Sequence, residues 1–109
     1  MSDQVQCKDG VSLHGLHYKM RIALKKADSI WRLHGQELVV TSACDGKHSK
    51  WSWHYFGCAV DLRTNYFESG TEIVVVAEKL RRALGPGYEV VVHHGSHMHV
   101  EYDPNTVEY

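Results

Sequence analysis

The chain has no excess of either charge: 12 lysines and arginines face 13 aspartates and glutamates, giving a net charge of −1. A nucleic-acid partner, which calls for a basic surface, is therefore not expected. No apolar run approaches membrane-spanning length, so membrane insertion is not expected either. The first residues, MSDQVQCKDGVSL, lack the charged start and apolar stretch of a signal peptide. Cysteine is sparse. Cys7, Cys44 and Cys58 cannot all pair and have no close spacing, which argues against a disulfide framework and against a Cys-type zinc site. Free thiols in a reducing compartment are the expectation. Internal repeats and low-complexity linkers are also missing. A length of 109 residues suits one domain with a single core, so 1–109 reads as one unit with 1–16 as an irregular lead-in.

What the chain has in plenty is histidine, nine in all. Around them the pattern predicts a small α+β domain. Met20, Leu24, Ala27 and Trp31 recur at helical spacing over 18–34, with Ile30 filling in. Residues 37–43, ELVVTSA, are β-branched and apolar and predict a buried strand. A second strand is expected over 58–64. Ser69-x-x-Glu72 predicts a capping box opening a helix over 71–84, which ends basic at Arg81 and Arg82 before Gly85-Pro86-Gly87. Residues 89–93 and 97–103 predict a β-hairpin turning at Gly95-Ser96. The expected result is a small central antiparallel sheet with helices packed on one side and a core around Leu38, Val40, Val60 and Val91. His14, His17 and His34 flank the first helix and are expected at the surface or at caps.

The remaining histidines bear on chemistry. The stretch HSKWSWHYFGCAVDLR, 48–63, contains Ser52-x-His54-x-x-Gly57-x-Ala59-x-Asp61. This spacing suits a loop that delivers a histidine, turns at a glycine and enters a strand whose inner face carries the aspartate. Alternation places Ala59 and Asp61 on one side and Cys58, Val60 and Leu62 on the other. A second piece is His97-Met98-His99 in the run HMHVEYD. On a strand, His97, His99 and Glu101 share one side, while Met98, Val100 and Tyr102 take the other. Each piece is weak by itself in a histidine-rich chain; their joint occurrence carries the argument. His54, Asp61 and one late histidine make a His/His/carboxylate set suited to a single zinc ion with an open fourth position. The economical assignment puts His99 on the metal and His97 beside a bound water. Both histidines on one ion would instead close the shell and make the site structural. Trp51 and Trp53 suit either a substrate groove or simple packing.

These segments, TSACDGKHSKWSWHYFGCAVDLRT followed by HMHVEYDP, resemble the zinc metallopeptidases of the D-alanyl-D-alanine carboxypeptidase and lysostaphin group. The loop is also similar to the zinc site of hedgehog signalling domains. The resemblance spans about 37–104. It implies zinc ligation by His54, Asp61 and His99, with His97 near the metal-bound water as a catalytic residue. It also implies a hedgehog-like α+β fold and hydrolysis of peptide bonds in bacterial peptidoglycan, with cleavage of carboxypeptidase or endopeptidase type. Two features of the group are replaced here. Its substrate-holding arginine has no counterpart in Ser42-Ala43-Cys44-Asp45, where only Lys47 is nearby. Its glutamate base gives way to His93 and His94, which become candidate bases beside His97. Lys47, Ser52, Trp53 and Tyr55 are the candidate substrate-binding residues. The expected partner is a peptidoglycan peptide bound by a monomer, either cytoplasmic or phage-encoded. A non-catalytic zinc-bearing binding or structural module on the same fold is the alternative.

Overall fold

Helix α1, Tyr18–Leu33, and helix α2, Gly70–Leu84, lie over one face of a five-stranded sheet in the computed structural model, which describes residues 5–13, 15–43 and 59–103. The strands are β1 (Gln6–Cys7), β2 (Val39–Ala43), β3 (Ala59–Arg63), β4 (Tyr88–His93) and β5 (His97–Tyr102), in the spatial order β1-β2-β3-β5-β4. All neighbours pair antiparallel except β1, which runs parallel to β2. Two expectations are corrected here. The sheet is mixed, and the lead-in contains a strand. Its two residues hold to β2 through Gln6 N–H donating to the Leu38 carbonyl at 3.2 Å and Lys8 N–H to the Val40 carbonyl at 2.9 Å. A strand of two residues is too short to leave a period-two pattern.

α1 buries Met20, Ala23, Leu24, Ala27, Ile30 and Trp31, a stripe at intervals of three and four residues. His17 is its N-cap: Nδ1 accepts the Lys19 amide at 3.1 Å. At the other end Gly35 takes φ 78°, a left-handed conformation that glycine adopts without a Cβ clash. There the Gly35 amide reaches the Arg32 carbonyl and the Gln36 amide reaches the Trp31 carbonyl, each at 3.0 Å, a Schellman stop. Trp31 is fully buried and donates Nε1–H to the Arg63 carbonyl at 3.1 Å, which ties α1 to the end of β3.

α2 buries Ile73, Val76, Ala77, Leu80 and Leu84. Its N-cap Ser69 accepts the Glu72 amide at 3.1 Å, but the expected capping box is only half made. Glu72 Oε1 accepts from the Glu68 amide at 3.0 Å, one residue before the cap, while Oε2 meets His34 Nδ1 at 2.9 Å. The pull from His34 re-aims the carboxylate. Lys79 Nζ lies 3.0 Å from His34 Nε2; an ammonium can only donate, so the His34 proton sits on Nδ1, facing Glu72. His34 thus joins the two helices in addition to sitting at a helix end.

The helices and the sheet share one core, to which the sheet contributes Val40, Val60, Leu62, Val90, Met98, Val100 and Tyr102. Val91, expected in that core, is on the other face and is 37% exposed, whereas Val90 is 6% exposed. The register explains the difference, since Val90 pairs with Val100 and Val91 with His99. In a run of three valines, composition alone does not say which one faces inward. Among the described residues, no helix is long and apolar enough to cross a membrane.

Candidate metal centre

With the helices on one face, the opposite face of the sheet carries the polar residues of β3, β4 and β5 in ranks across the strands. One rank runs Ser42, Asp61, His99, Val91. The rank on one side of it holds Ala59, Glu101 and Glu89, and the rank on the other holds Arg63, His97 and His93. The alternation expected for both motif strands holds: Asp61, His97, His99 and Glu101 are half-buried, while Val60, Leu62, Met98, Val100 and Tyr102 are buried.

Asp61 and His99 are direct cross-strand partners, although 38 residues apart in sequence. His99 Nδ1 lies 2.7 Å from Asp61 Oδ1, and His99 Nε2 lies 2.8 Å from Glu101 Oε1. The imidazole is bracketed by two carboxylates, one at each nitrogen. The hydrogen bond to Asp61 pushes its pKa up to about 9, with Glu101 adding to the shift and partial burial opposing it. Both ring nitrogens carry protons at neutral pH in this arrangement, and the rank is an anionic cradle around one cation.

His97 faces the second oxygen of the same aspartate, with Nε2 3.7 Å from Asp61 Oδ2. Its other nitrogen, Nδ1, lies 2.6 Å from Ser96 Oγ. The His93 ring stacks on His97 with centroids 4.6 Å apart, one strand further from Asp61. His94 lies in the hairpin turn and is exposed. That turn closes with the Ser96 amide on the His93 carbonyl at 3.1 Å, and Gly95 supplies the φ of 80° needed at its third position.

His54, Lys47, Ser52, Trp53 and Tyr55 lie outside the described residues, as do Trp51, Cys44 and Cys58. Cys7 is a half-buried free thiol whose pKa is raised by burial. Among the described residues, no three histidine, cysteine, aspartate or glutamate side chains form a metal-holding group. The nitrogen and oxygen that are described do fit zinc in kind and in spacing. Two ligands bound at about 2.0–2.1 Å in a tetrahedron stand roughly 3.3 Å apart, so the 2.7 Å pair needs to open by only a fraction of an ångström. The expected third donor, His54, belongs to the segment 44–58. Residues 44–58 run from Ala43, which follows the partner of Asp61, to Ala59, two residues before Asp61 on the same face. Four residues separate position 54 from Ala59, and the five steps between them span at most roughly 17 Å.

Two residues gain significance that the sequence pattern did not assign. The strand alternation sets Glu101 on this face without a role; the 2.8 Å contact makes it the group that orients His99. Ser96, expected only as a turn residue, holds the ring of His97. The signal for Glu101 was available, as a carboxylate two residues from a strand-borne histidine. Ser96 had none, because Gly-Ser in a turn needs no further explanation. Neither models of known protein families nor curated proteins match the chain.

Proposed function

We propose that this chain is a zinc-dependent peptidase that hydrolyses peptide bonds of bacterial peptidoglycan stem peptides, with one zinc held by His54, Asp61 and His99. The observation that supports it best is the register of β3 against β5, which sets Asp61 Oδ1 against His99 Nδ1 at 2.7 Å on the face free of helices. Zinc, when bound, supplies a Lewis acid for a peptide carbonyl and an acidified water.

The chain's own groups do the rest. Asp61 and His99 offer oxygen and nitrogen to the ion, and Glu101 holds the His99 Nε2 proton so that Nδ1 is the nitrogen presented. His97 is the proton carrier. With Nδ1–H donated to Ser96 Oγ, its Nε2 carries the lone pair that a general base needs, and that nitrogen already faces the Asp61 side of the site. His93, stacked behind, holds the plane of the His97 ring. His94, in the exposed turn, is the weakest of the three candidate bases. The fold is compatible with a hedgehog-like domain, and a non-catalytic zinc-bearing module remains the competing reading.

The test pairs zinc content with turnover of a muropeptide. His99→Ala should lose metal and activity together. His97→Ala should keep about one zinc per chain and lose about 10²–10⁴-fold in rate, the worth of a positioned acid/base. Release of zinc from His97→Ala as readily as from His99→Ala would mean a closed shell and would refute the peptidase.

A further inference from the structure

The chain is nearly neutral as a whole, but its charge is divided unevenly between the layers. Eight of the 12 lysines and arginines lie on α1 and α2, against three of the 13 aspartates and glutamates. Eight less three gives the helices a formal +5 and leaves −6 for all other residues, within the net charge of −1. The three helix acids are already engaged: Asp28 meets Arg32 at 3.0 Å, Glu78 meets Arg81 at 2.9 Å, and Glu72 meets His34 at 2.9 Å. Arg21 and Lys26 donate to backbone carbonyls, of Leu16 at 3.3 Å and of Ala83 at 2.8 Å, which do not neutralise them. Lys25 and Arg82 are exposed. The same two helices carry five of the six large apolar side chains left exposed among the described residues: Tyr18, Ile22, Leu33, Val74 and Val75. On α1 the two kinds interleave. Ile22, Lys25, Lys26, Ser29 and Leu33 recur at intervals of three and four residues, opposite the buried stripe that packs on the sheet.

We propose that the outer surface of this helical layer docks the domain on an anionic lipid bilayer, with Lys25, Lys26 and Arg82 at the lipid phosphates and Ile22, Leu33 and Val75 at the boundary between headgroups and acyl chains. Neither helix is long and apolar enough to cross the bilayer, so the contact is with one leaflet, the helices lying in its plane. Charge complementarity makes the partner anionic, and the exposed apolar residues decide its kind. Against a hydrophilic polyanion such as nucleic acid they stay in water and add nothing. At a bilayer surface their burial adds to the electrostatic attraction. The acidic side of a second copy matches the charge, but it would meet these side chains with Asp61, Glu89 and Glu101 instead of an apolar surface. The division of charge also sets the orientation. The helices are drawn to the leaflet and the acidic remainder is repelled, which turns the Asp61–His99 rank, on the opposite face of the sheet, away from the lipid. This assignment does not depend on the chemistry at that rank.

The test is co-sedimentation of the full chain with vesicles of phosphatidylcholine alone and of phosphatidylcholine mixed equally with phosphatidylglycerol. The mixed vesicles should bind the wild type, and less so as salt is raised, while phosphatidylcholine alone should leave it in the supernatant. A basic residue near such a surface is worth about fivefold in partition, so Lys25→Gln combined with Arg82→Gln should weaken binding about 25-fold. Leu33→Gln keeps every charge and should weaken it roughly tenfold. These positions are exposed and glutamine is a good helix former, so the fold should survive, as circular dichroism can verify. Glu89→Gln, on the sheet face away from the lipid, should change partition by no more than about twofold. No binding to the mixed vesicles, equal binding to both compositions, or unchanged binding in the double variant overturns the proposal. A gain in Glu89→Gln as large as the loss in the double variant also overturns it, since net charge and not the helical surface would then govern binding. Binding to double-stranded DNA as strong as to the mixed vesicles, with Leu33→Gln indifferent, overturns it in favour of a hydrophilic polyanion. A lipid-free dimer in sedimentation velocity that the double variant abolishes overturns it in favour of self-association.

Discussion

Glu101 offers the sharpest test of the site as a metal centre, because its carboxylate touches the proposed ligand without being one. In the structure His99 divides its nitrogens, Nδ1 to Asp61 at 2.7 Å and Nε2 to Glu101 at 2.8 Å. If Asp61 and His99 hold zinc, His99 would offer Nδ1 in place of the proton there, and its Nε2 proton would stay on Glu101. Loss of such an outer partner typically costs about 10- to 100-fold in metal affinity, or roughly 1.4–2.7 kcal/mol. Glu101→Gln keeps an acceptor oxygen but removes its charge, and a neutral acceptor is about half as strong, so its loss should fall near tenfold. Glu101→Ala leaves a half-buried imidazole N–H without a partner and should fall near a hundredfold. The Glu101 charge also favours the doubly protonated form of His99, so each figure is net of an easier loss of the Nδ1 proton.

The assay is competition for zinc against a chromophoric chelator at a single pH. Glu89, the cross-strand neighbour of Glu101 on β4, is the control: Glu89→Gln removes the same charge from an exposed side chain that does not act on His99, and should shift affinity by no more than about twofold. Equal losses in Glu101→Gln and Glu89→Gln would reduce the effect to general charge. Unchanged affinity in Glu101→Ala would mean that His99 is not a ligand held by this carboxylate.

Two further outcomes test the frame around the site. Val90→Ala should destabilise the fold by about 1–3 kcal/mol through a core cavity, while Val91→Ala stays within about 0.5 kcal/mol, measured by urea unfolding; equal effects would refute the β4 register. Tyr66, half-buried and hydrogen-bonded to the Glu37 carbonyl, has its pKa pushed up from 10 to about 12, chiefly by burial. Its neutral form is favoured by the fold, so this contribution to stability is complete below pH 10 and is lost as pH rises through 12. An ultraviolet titration should show a late-ionising tyrosine that is lost in Tyr66→Phe; a Tyr66→Phe protein with the same late fraction would place the effect elsewhere.

Much of this architecture was legible because two periodicities are clean. The stripe of Met20, Leu24, Ala27 and Trp31 marks a helix without ambiguity, and the alternation in HMHVEYD assigns His97, His99 and Glu101 to one face before any pairing is known. Pairing itself is not a local property. That Asp61 meets His99, and not His97, follows from a strand register 38 residues long in sequence separation, and no spacing within either motif contains it. β1 escaped for a different reason, since it adheres through backbone bonds to β2 and needs little from its side chains. Val91 departs from its expected core position because neighbouring valines carry equal apolarity; only the pairing of Val90 with Val100 decides which one turns inward.

The same separation of faces explains how a domain of this size can hold so charged a surface rank. Stability resides on the helix side, where Leu62, Met98, Val100 and Trp31 are fully or almost fully buried. The opposite side carries Asp61, His99, Glu101 and His97 within three adjacent ranks. Strand alternation lets each strand serve both sides with successive residues, so changes on the polar face leave the core contacts intact. For this reason the zinc content proposed to fall in His99→Ala and the affinity proposed to fall in Glu101→Ala can each be measured on a folded protein. The exception is Asp61. It is bonded to His99, faces His97, and its carbonyl accepts from Thr41 Oγ1 at 3.4 Å beside the irregularity in β2. Asp61→Asn keeps the shape and the backbone contact while removing the charge that holds the His99 proton, so it separates the two roles of this residue where Asp61→Ala would confound them.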